Sequence, residues 1–306
     1  YPVGKNAGLD QNIIEWIKTA KSKDRHSSVI DIADATSKVG NQRLIKDAHE
    51  IDLMKKACRI SAESHVEAMK FVKPGMTEQE MEAFYLYEFA KRGGRFSAYT
   101  PIVAGGENAC VLHYVENSKP LLDGDLLLVD AGCEYDFYAS DITRTFPVSG
   151  KFTDAQLAIY EVVLEAESKA IAAVSVNNNV MDAQIISEKV VTQGLIDLGI
   201  LKGSLDDLHA KGAFKEFYMH KIGHWLGIDV HDAGDYMEDD QFMQFKPGMV
   251  TTIEPGIYIP SSANVDDKWK GIGIRIEDDI LVTPDGNENL TEFVPSDPKE
   301  IEALMA

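Results

Sequence analysis

Apolar residues return at steps of three and four from Ile51 through Met54, Cys58, Ala62, His65, Met69 and Val72, which predicts a helix packed along one face. Lys73-Pro74-Gly75 ends it. Thr77, with Glu80 three residues on, makes a capping box for a second helix that runs to Arg92 and stops at Gly93-Gly94. The pattern then changes. Strand and turn signals fill 100–112, and Leu126 to Val129 is a run of large apolar residues, expected as a strand covered on both faces. It ends in Asp130. A second strand, from about Tyr138, is expected to carry Asp141, with Asp141, Thr143 and Thr145 on one face by the alternation of a pleated strand.

The same order then recurs. Thr153 with Gln156 opens a helix to about Val176, a polar break covers 177–179, and another helix runs from about Met181 to Gly199. An aromatic stretch (Phe214–Met219), a histidine cluster and a second apolar strand pair (Met249 to Val282) follow. Gly124, Asp130 and Gly132 stand at the same spacing as Gly248, Glu254 and Gly256, and Val72 and Val176, before the two breaks, lie 104 residues apart. Each half reads helix, helix, strand, acid, strand, acid, and repeats of this size pack as related halves with a site between them. Residues 1–45 read differently: Asp10 caps a helix to about Lys23 with Ile13, Ile14 and Ile17 on one side. A polar loop (Lys23 to Ser28) and an extended piece (Val29 to Ala33) complete a segment too small to fold alone. It is expected to be the tail of a preceding domain plus a linker, in a chain that starts at Tyr1 as a fragment of a longer protein.

Composition narrows the function. A chain of 306 residues, 44% hydrophobic, has room for one large core and a small appendage. Its formal charge of −20 argues against nucleic acid and anionic membranes as partners, and no apolar run reaches the roughly 18 residues of a membrane helix. Cys58, Cys110 and Cys133 are scattered, with no C-x-x-C pair, which fits a reducing cytosol and neither a disulfide scaffold nor a structural zinc site.

The acids carry the chemistry. Asp130 and Asp141 on adjacent strands repel each other unless an arginine or a metal ion lies between them. The second half supplies Glu254 at the end of one strand and Glu277 on the next, with Arg275, Glu277 and Asp279 on one face and Ile274, Ile276 and Ile280 on the other. His220, His224 and His231 lie close together. The four-residue step from His220 to His224 resembles a zinc-protease helix, but Lys221 stands where the glutamate base belongs and Gly223 weakens a helix, so that reading is rejected. Four carboxylates with one or two histidines suit Mn²⁺ or a similar hard ion, and they are enough for two ions about 3.5 Å apart that activate water and polarise a carbonyl. The bland readings stand beside this one. Arg144 or Arg275 pairs with a strand aspartate, His113 and His65 are satisfied core or surface histidines, Cys58 is core, and Glu238-Asp239-Asp240 and Asp266-Asp267 are solvated surface.

Five runs resemble the pita-bread family of metallopeptidases, which includes methionine aminopeptidase, prolidase, aminopeptidase P and creatinase. They are Asp-Ala-Gly at 130–132, Asp-Ile-Thr-Arg-Thr at 141–145, the histidine run at 219–232, Ile-Glu-Pro-Gly at 253–256 and Gly-Ile-Gly-Ile-Arg-Ile-Glu-Asp-Asp at 271–279. His-Trp-Leu-Gly at 224–227, Gly-Ile-Gly-Ile-Arg at 271–275 and Gly-Asn-Glu-Asn-Leu at 286–290 look most like the bacterial aminopeptidase P members. The resemblance implies an α+β pita-bread fold, with two pseudo-symmetric helix–helix–strand halves around a curved antiparallel sheet. The catalytic domain would span 43–306, after a remnant of an N-terminal domain at 1–42. It implies a cytoplasmic metallo-aminopeptidase that removes an N-terminal residue preceding a proline, with prolidase as the alternative, two Mn²⁺ per chain, a peptide partner, and a homo-oligomer when full length. Asp130, Asp141, His224, Glu254 and Glu277 would be the metal ligands, Asp141 and Glu277 bridging. Glu254 would also handle the proton of the attacking water. His113, His220 and His231 would line the site, His113 and His231 placed for the substrate or the developing oxyanion, and Arg275 would order the acids or a neighbouring subunit. A metal-free binding module that kept the fold is the rival of a different class.

Overall fold

In the computed structural model, which describes residues 1–23, 32 and 34–306, helices α1 (Ala7–Lys23), α2 (Thr36–Leu44), α3 (Ala48–Phe71) and α4 (Glu78–Lys91) come first. Strands β1 (Phe96–Ser97), β2 (Ile102–Gly105), β3 (Leu126–Asp130), β4 (Cys133–Tyr135), β5 (Tyr138–Ala139) and β6 (Thr143–Pro147) follow, with a 3₁₀ turn at Gly106–Cys110. Helices α5 (Asp154–Ala173), α6 (Val180–Asp197) and α7 (Leu205–Ala210) lead to β7 (Met237–Glu238), β8 (Gln241–Phe242), β9 (Val250–Ile253), β10 (Gly256–Ile259), β11 (Ile272–Arg275), β12 (Asp278–Thr283) and β13 (Gly286–Asn289). Helix α8 (Pro298–Met305) closes an α+β arrangement.

Side-chain caps set the starts of the long helices α3 to α6. At α4 the Thr77 hydroxyl accepts from the Glu80 N–H while the Glu80 carboxylate accepts from the Thr77 N–H at 2.7 Å, and Thr153 with Gln156 does the same for α5. Two further capping boxes shift starts away from the expected ones. Asp47 with Glu50 opens α3 three residues before Ile51, and Asn179 with Asp182 opens α6 at Val180. Helix α1 begins at Ala7, where the Asn6 side chain accepts from the Leu9 N–H at 3.0 Å, and Asp10 lies in the first turn, bonded to the Tyr1 hydroxyl. Helix α2 stands where a linker was expected, and α7 and α8 are too short to show a period. The polar loop and extended piece expected across 24–33 fall outside the described residues apart from Ile32.

All strand pairings are antiparallel among the described residues. Strand β3 lies between β2 and β6, β12 lies between β9 and β13, and β10 pairs with β11. A bridge between Thr143 and Glu277 joins the two groups, with the Glu277 N–H donating to the Thr143 carbonyl at 3.1 Å. Beside it the Thr145 hydroxyl donates to the Arg275 carbonyl at 3.0 Å and accepts from the Arg275 N–H at 3.2 Å, so a side chain takes the place of a ladder rung. Helix α3 covers β4 and β5, α4 covers β2, and α5 lies across β9, β10 and β11 with α6 on its outer side.

Leu126 to Val129 are at most 3% exposed, and burying each such side chain contributes about 1.5–3 kcal/mol. One apolar cluster runs from Phe89 and Tyr85 through Leu127 and Phe146 to Val163, Ile257 and Ile274, fastening both strand groups to their helices. Cys58 and His65 are core, as expected, and the acidic turns at 238–240 and 266–267 are exposed. Helix α1 buries none of its residues.

Candidate metal centre

Strand ends and the links between strands deliver the acids. Asp130 is the last residue of β3 and Glu254 follows β9. Asp141, however, sits in the link between β5 and β6, and Glu277 in the single-residue bridge between β11 and β12, so neither belongs to a strand as the alternation had suggested. The first lies beside a close crossing: a Cβ on Gly132 would stand 1.7 Å from the Ser140 carbonyl oxygen, so only glycine lets the chain pass this close to the residue before Asp141. Asp279 lies behind the wall instead of in the cavity, where its carboxylate accepts the Asp141 N–H at 3.0 Å and the Cys58 thiol at 3.3 Å.

Asp130, Asp141, His224, Glu254 and Glu277, together with His113, His220, His231 and Arg275, line one cavity of about 440 Å³. Residues 219–232 form no helix, in keeping with the rejected zinc-protease reading. The arginine question has a divided answer. Arg275 Nη2 meets Asp130 Oδ2 at 2.5 Å, whereas Arg144 turns away to Asp278 at 2.7 Å and to the Glu277 carbonyl at 2.7 Å. Against four largely buried acids the wall sets one buried arginine, and that imbalance is costly unless further positive charge is supplied.

The protonation equilibria record that deficit. Burial pushes the Glu254 carboxyl up to about 7, although His224 and Arg275 oppose it. Burial, and then the charge of Asp141, lifts Glu277 well above the usual range, and burial also raises Asp130 against the pull of Arg275. Burial disfavours a charged His224, yet the Asp141 contact raises it to about 9. A cation among these groups relieves both the repulsion and the desolvation.

The histidines play different parts. His224 Nδ1 donates to the Trp225 carbonyl at 3.0 Å, which turns Nε2 toward the acids, 3.4 Å from Asp141 Oδ2 and 3.7 Å from Glu254 Oε1. His220 is held as a neutral ring: Nδ1 donates to the Lys221 carbonyl and Nε2 accepts from the Tyr258 hydroxyl, both at 2.8 Å. Burial and then Arg275 lower its pKa to about 4. His231 packs edge-on against His224 with ring centroids 4.2 Å apart, and His113 lies exposed on the cavity wall.

Sequence reasoning missed Tyr99. Its hydroxyl lies 2.6 Å from Asp130 Oδ1 and 2.5 Å from Asp141 Oδ1, so one proton is shared between the two aspartates. Nothing in Ser-Ala-Tyr-Thr-Pro marks the residue; the register of β2 on β3 after it and of β1 on β4 before it brings that stretch to the site. Thr143 is a second support, donating to Glu277 Oε2 at 2.6 Å and accepting from Arg275 Nε at 3.1 Å.

One ligand atom each from Asp141, His224 and Glu277 falls within 4.8 Å of the others, with Asp130 and Glu254 beside them. A hard, oxygen-rich donor set with one imidazole nitrogen turned toward the acids fits a divalent cation. Fold and site together define a protein equipped to hold divalent metal in an open, carboxylate-lined cavity. The chain belongs to metallopeptidase family M24, whose model matches residues 52–284. It is 50% identical over 275 residues to the Xaa-Pro aminopeptidase of Haemophilus influenzae, covering 90% of this chain and 64% of that protein. It is 48% identical over 267 residues to the Xaa-Pro aminopeptidase of Escherichia coli, covering 87% of this chain and 60% of that one. The chain therefore spans less than two thirds of the length of these curated relatives. Among solved structures it superposes on Pseudomonas aeruginosa aminopeptidase PepP with a TM-score of 0.95 at 46% identity, over 100% of this chain and 70% of that one. It superposes on an Escherichia coli aminopeptidase P variant in complex with substrate with a TM-score of 0.94 at 43% identity, again over 100% and 70%.

Proposed function

We propose that this chain is the catalytic part of a manganese-dependent aminopeptidase that hydrolyses the bond between an N-terminal residue and a following proline. The observation that carries the reading is the convergence of four acids and the Nε2 of His224 in one open cavity. The names of the relatives support the substrate class. Asp130, Asp141, His224, Glu254 and Glu277 would hold the two Mn²⁺ ions. When bound, the ions polarise the scissile carbonyl and lower the pKa of water. Glu254, loosely held by a 3.4 Å contact from Thr252 Oγ1, takes the proton of the attacking water and passes it on. Arg275 and Tyr99 keep Asp130 and Asp141 in place, and His113 and His231 bind the peptide and the charge that develops on its carbonyl oxygen. The catalytic unit spans residues 43–306, its two strand groups form the pseudo-symmetric halves of a pita-bread fold, and three free cysteines suit a cytoplasmic setting.

The test loads the purified chain with manganese and offers an X-Pro-X tripeptide. Release of the first residue is expected. No release with two ions bound per chain overturns the reading, and faster cleavage of X-Pro than of X-Pro-X-X transfers it to a prolidase.

A further inference from the structure

His231 is followed directly by Asp232, whose carboxylate points away from the cavity into the body of the protein. Lys46 Nζ meets Asp232 Oδ2 at 3.1 Å, and both side chains are 1% exposed. Arg43 closes on Oδ1 of the same carboxylate and reaches Asp229 Oδ2 at 2.7 Å. The Asp232 N–H returns to the Trp225 carbonyl at 2.9 Å, so residues 225–232 form a closed loop flanked by His224 and ending in His231 and Asp232. A Cβ on Gly227 would stand 2.2 Å from Asp232 Oδ2, so the carboxylate rests directly against the loop backbone. Farther along, Asn41 on α2 donates to Asp235 at 2.9 Å and accepts the Asp235 N–H at 2.9 Å.

Neither Arg43, Lys46 nor Asp232 lines the cavity, and both cations precede the residues that the family model matches. A buried carboxylate between two cations is a rigid anchor, because removing one partner leaves a charge uncompensated in a low-dielectric setting. We propose that Lys46 and Arg43, acting through Asp232, are positioning residues that hold the 225–232 loop in the shape that sets His231 against His224. The segment around α2 is thereby a working part of the site. The kinetic arm of the test rests on the proposed aminopeptidase reading; the exchange arm does not.

Lys46→Met, Lys46→Arg, His231→Ala and the Lys46→Met/His231→Ala double variant are compared with the parent, all loaded with manganese. Lys46→Met is expected to lower kcat/KM on an X-Pro-X peptide by about 10- to 100-fold with unchanged metal content, since small misplacements of a site residue cost on that order. Lys46→Arg recovers most of the loss, and in the His231→Ala background Lys46→Met adds nothing further. Losses that multiply in the double variant overturn the proposal. Hydrogen exchange of the chain as purified is the second arm: residues 225–232 exchange faster in Lys46→Met while 102–119 do not change. Equal exchange in 225–232 overturns the proposal even where the parent releases no amino acid, an outcome that sinks only the aminopeptidase reading. Should Lys46→Met fail to fold, Arg43→Met, at a half-buried side chain, goes through both arms with the same expectations.

Discussion

The strand group that carries Asp130 and Asp141 and the one that carries Glu254 and Glu277 present acids to the same cavity, but they hold them differently. On Asp130, Tyr99 occupies one oxygen and Arg275 the other. Asp141 shares the Tyr99 proton, faces His224, and has its own N–H fixed by Asp279. Glu277 is tied by Thr143 at 2.6 Å. Among the described residues Glu254 has only the 3.4 Å contact with Thr252 and the histidines at 3.7 and 3.9 Å, and burial lifts its carboxyl to about 7. A carboxylate with fixed partners is suited to hold a cation. One with weak partners and a pKa near neutrality is suited to move a proton. In the proposed mechanism this contrast separates holding from proton transfer within a single cluster of like groups.

The largest effect that would break this contrast is expected at Glu254. Glu254→Gln should cut turnover by about 10²- to 10⁴-fold, the usual cost of losing a positioned acid–base group, while the melting temperature and most of the metal content stay. A near-normal rate would place the proton transfer elsewhere. Asp141→Asn should instead release at least one bound ion per chain, read by elemental analysis; full retention would mean that the first group does not hold the metal. Tyr99→Phe removes the shared proton but no ligand. Its expected cost is a 10- to 100-fold weaker metal affinity, typical for loss of a partner that orients a ligand, and an unchanged affinity would strip Tyr99 of its supporting part.

The smallest effect is on stability and separates metal-free from metal-loaded protein. Burial resists charging His224, yet Asp141 holds its folded pKa at about 9 against an ordinary 6.5. Between those values the folded state binds the extra proton, so its stabilisation is present below 6.5 and is lost as pH rises toward 9. Burial keeps His220 neutral with a pKa near 4, so its titration is finished below this window. The melting temperature of metal-stripped protein should therefore fall between pH 7 and 9, while manganese-loaded protein should not follow that fall on the proposed ligand set, since a ligating His224 is neutral. Parallel curves for the two forms would break the assignment of His224.

Much of the architecture was legible because its signals are local. Thr77 with Glu80 and Thr153 with Gln156 start helices where their spacing says, since a capping box closes within four residues. The run from Leu126 to Val129 is a buried strand for the same reason of short range. Helix α2 was hidden because its support comes from Asp235, Asp232 and Asp229, nearly two hundred residues away. The alternation rule failed at Asp141 and Glu277 because a close crossing and a single bridge interrupt the strands where the acids are delivered.

By itself the sequence determined the order and spacing of the groups that carry the chemistry: two aspartates, two glutamates and a cluster of histidines in an acidic chain. Only the tertiary structure decided that Arg275 and not Arg144 pairs with Asp130, that Tyr99 bridges the aspartates, that Glu254 is left loosely held, and that Lys46 and Arg43 grip the loop under His231. The reason is range. Propensity, caps and alternation act over a few residues, whereas hydrogen-bond partners and shifted pKa values arise where chain segments up to about two hundred residues apart are packed together out of water.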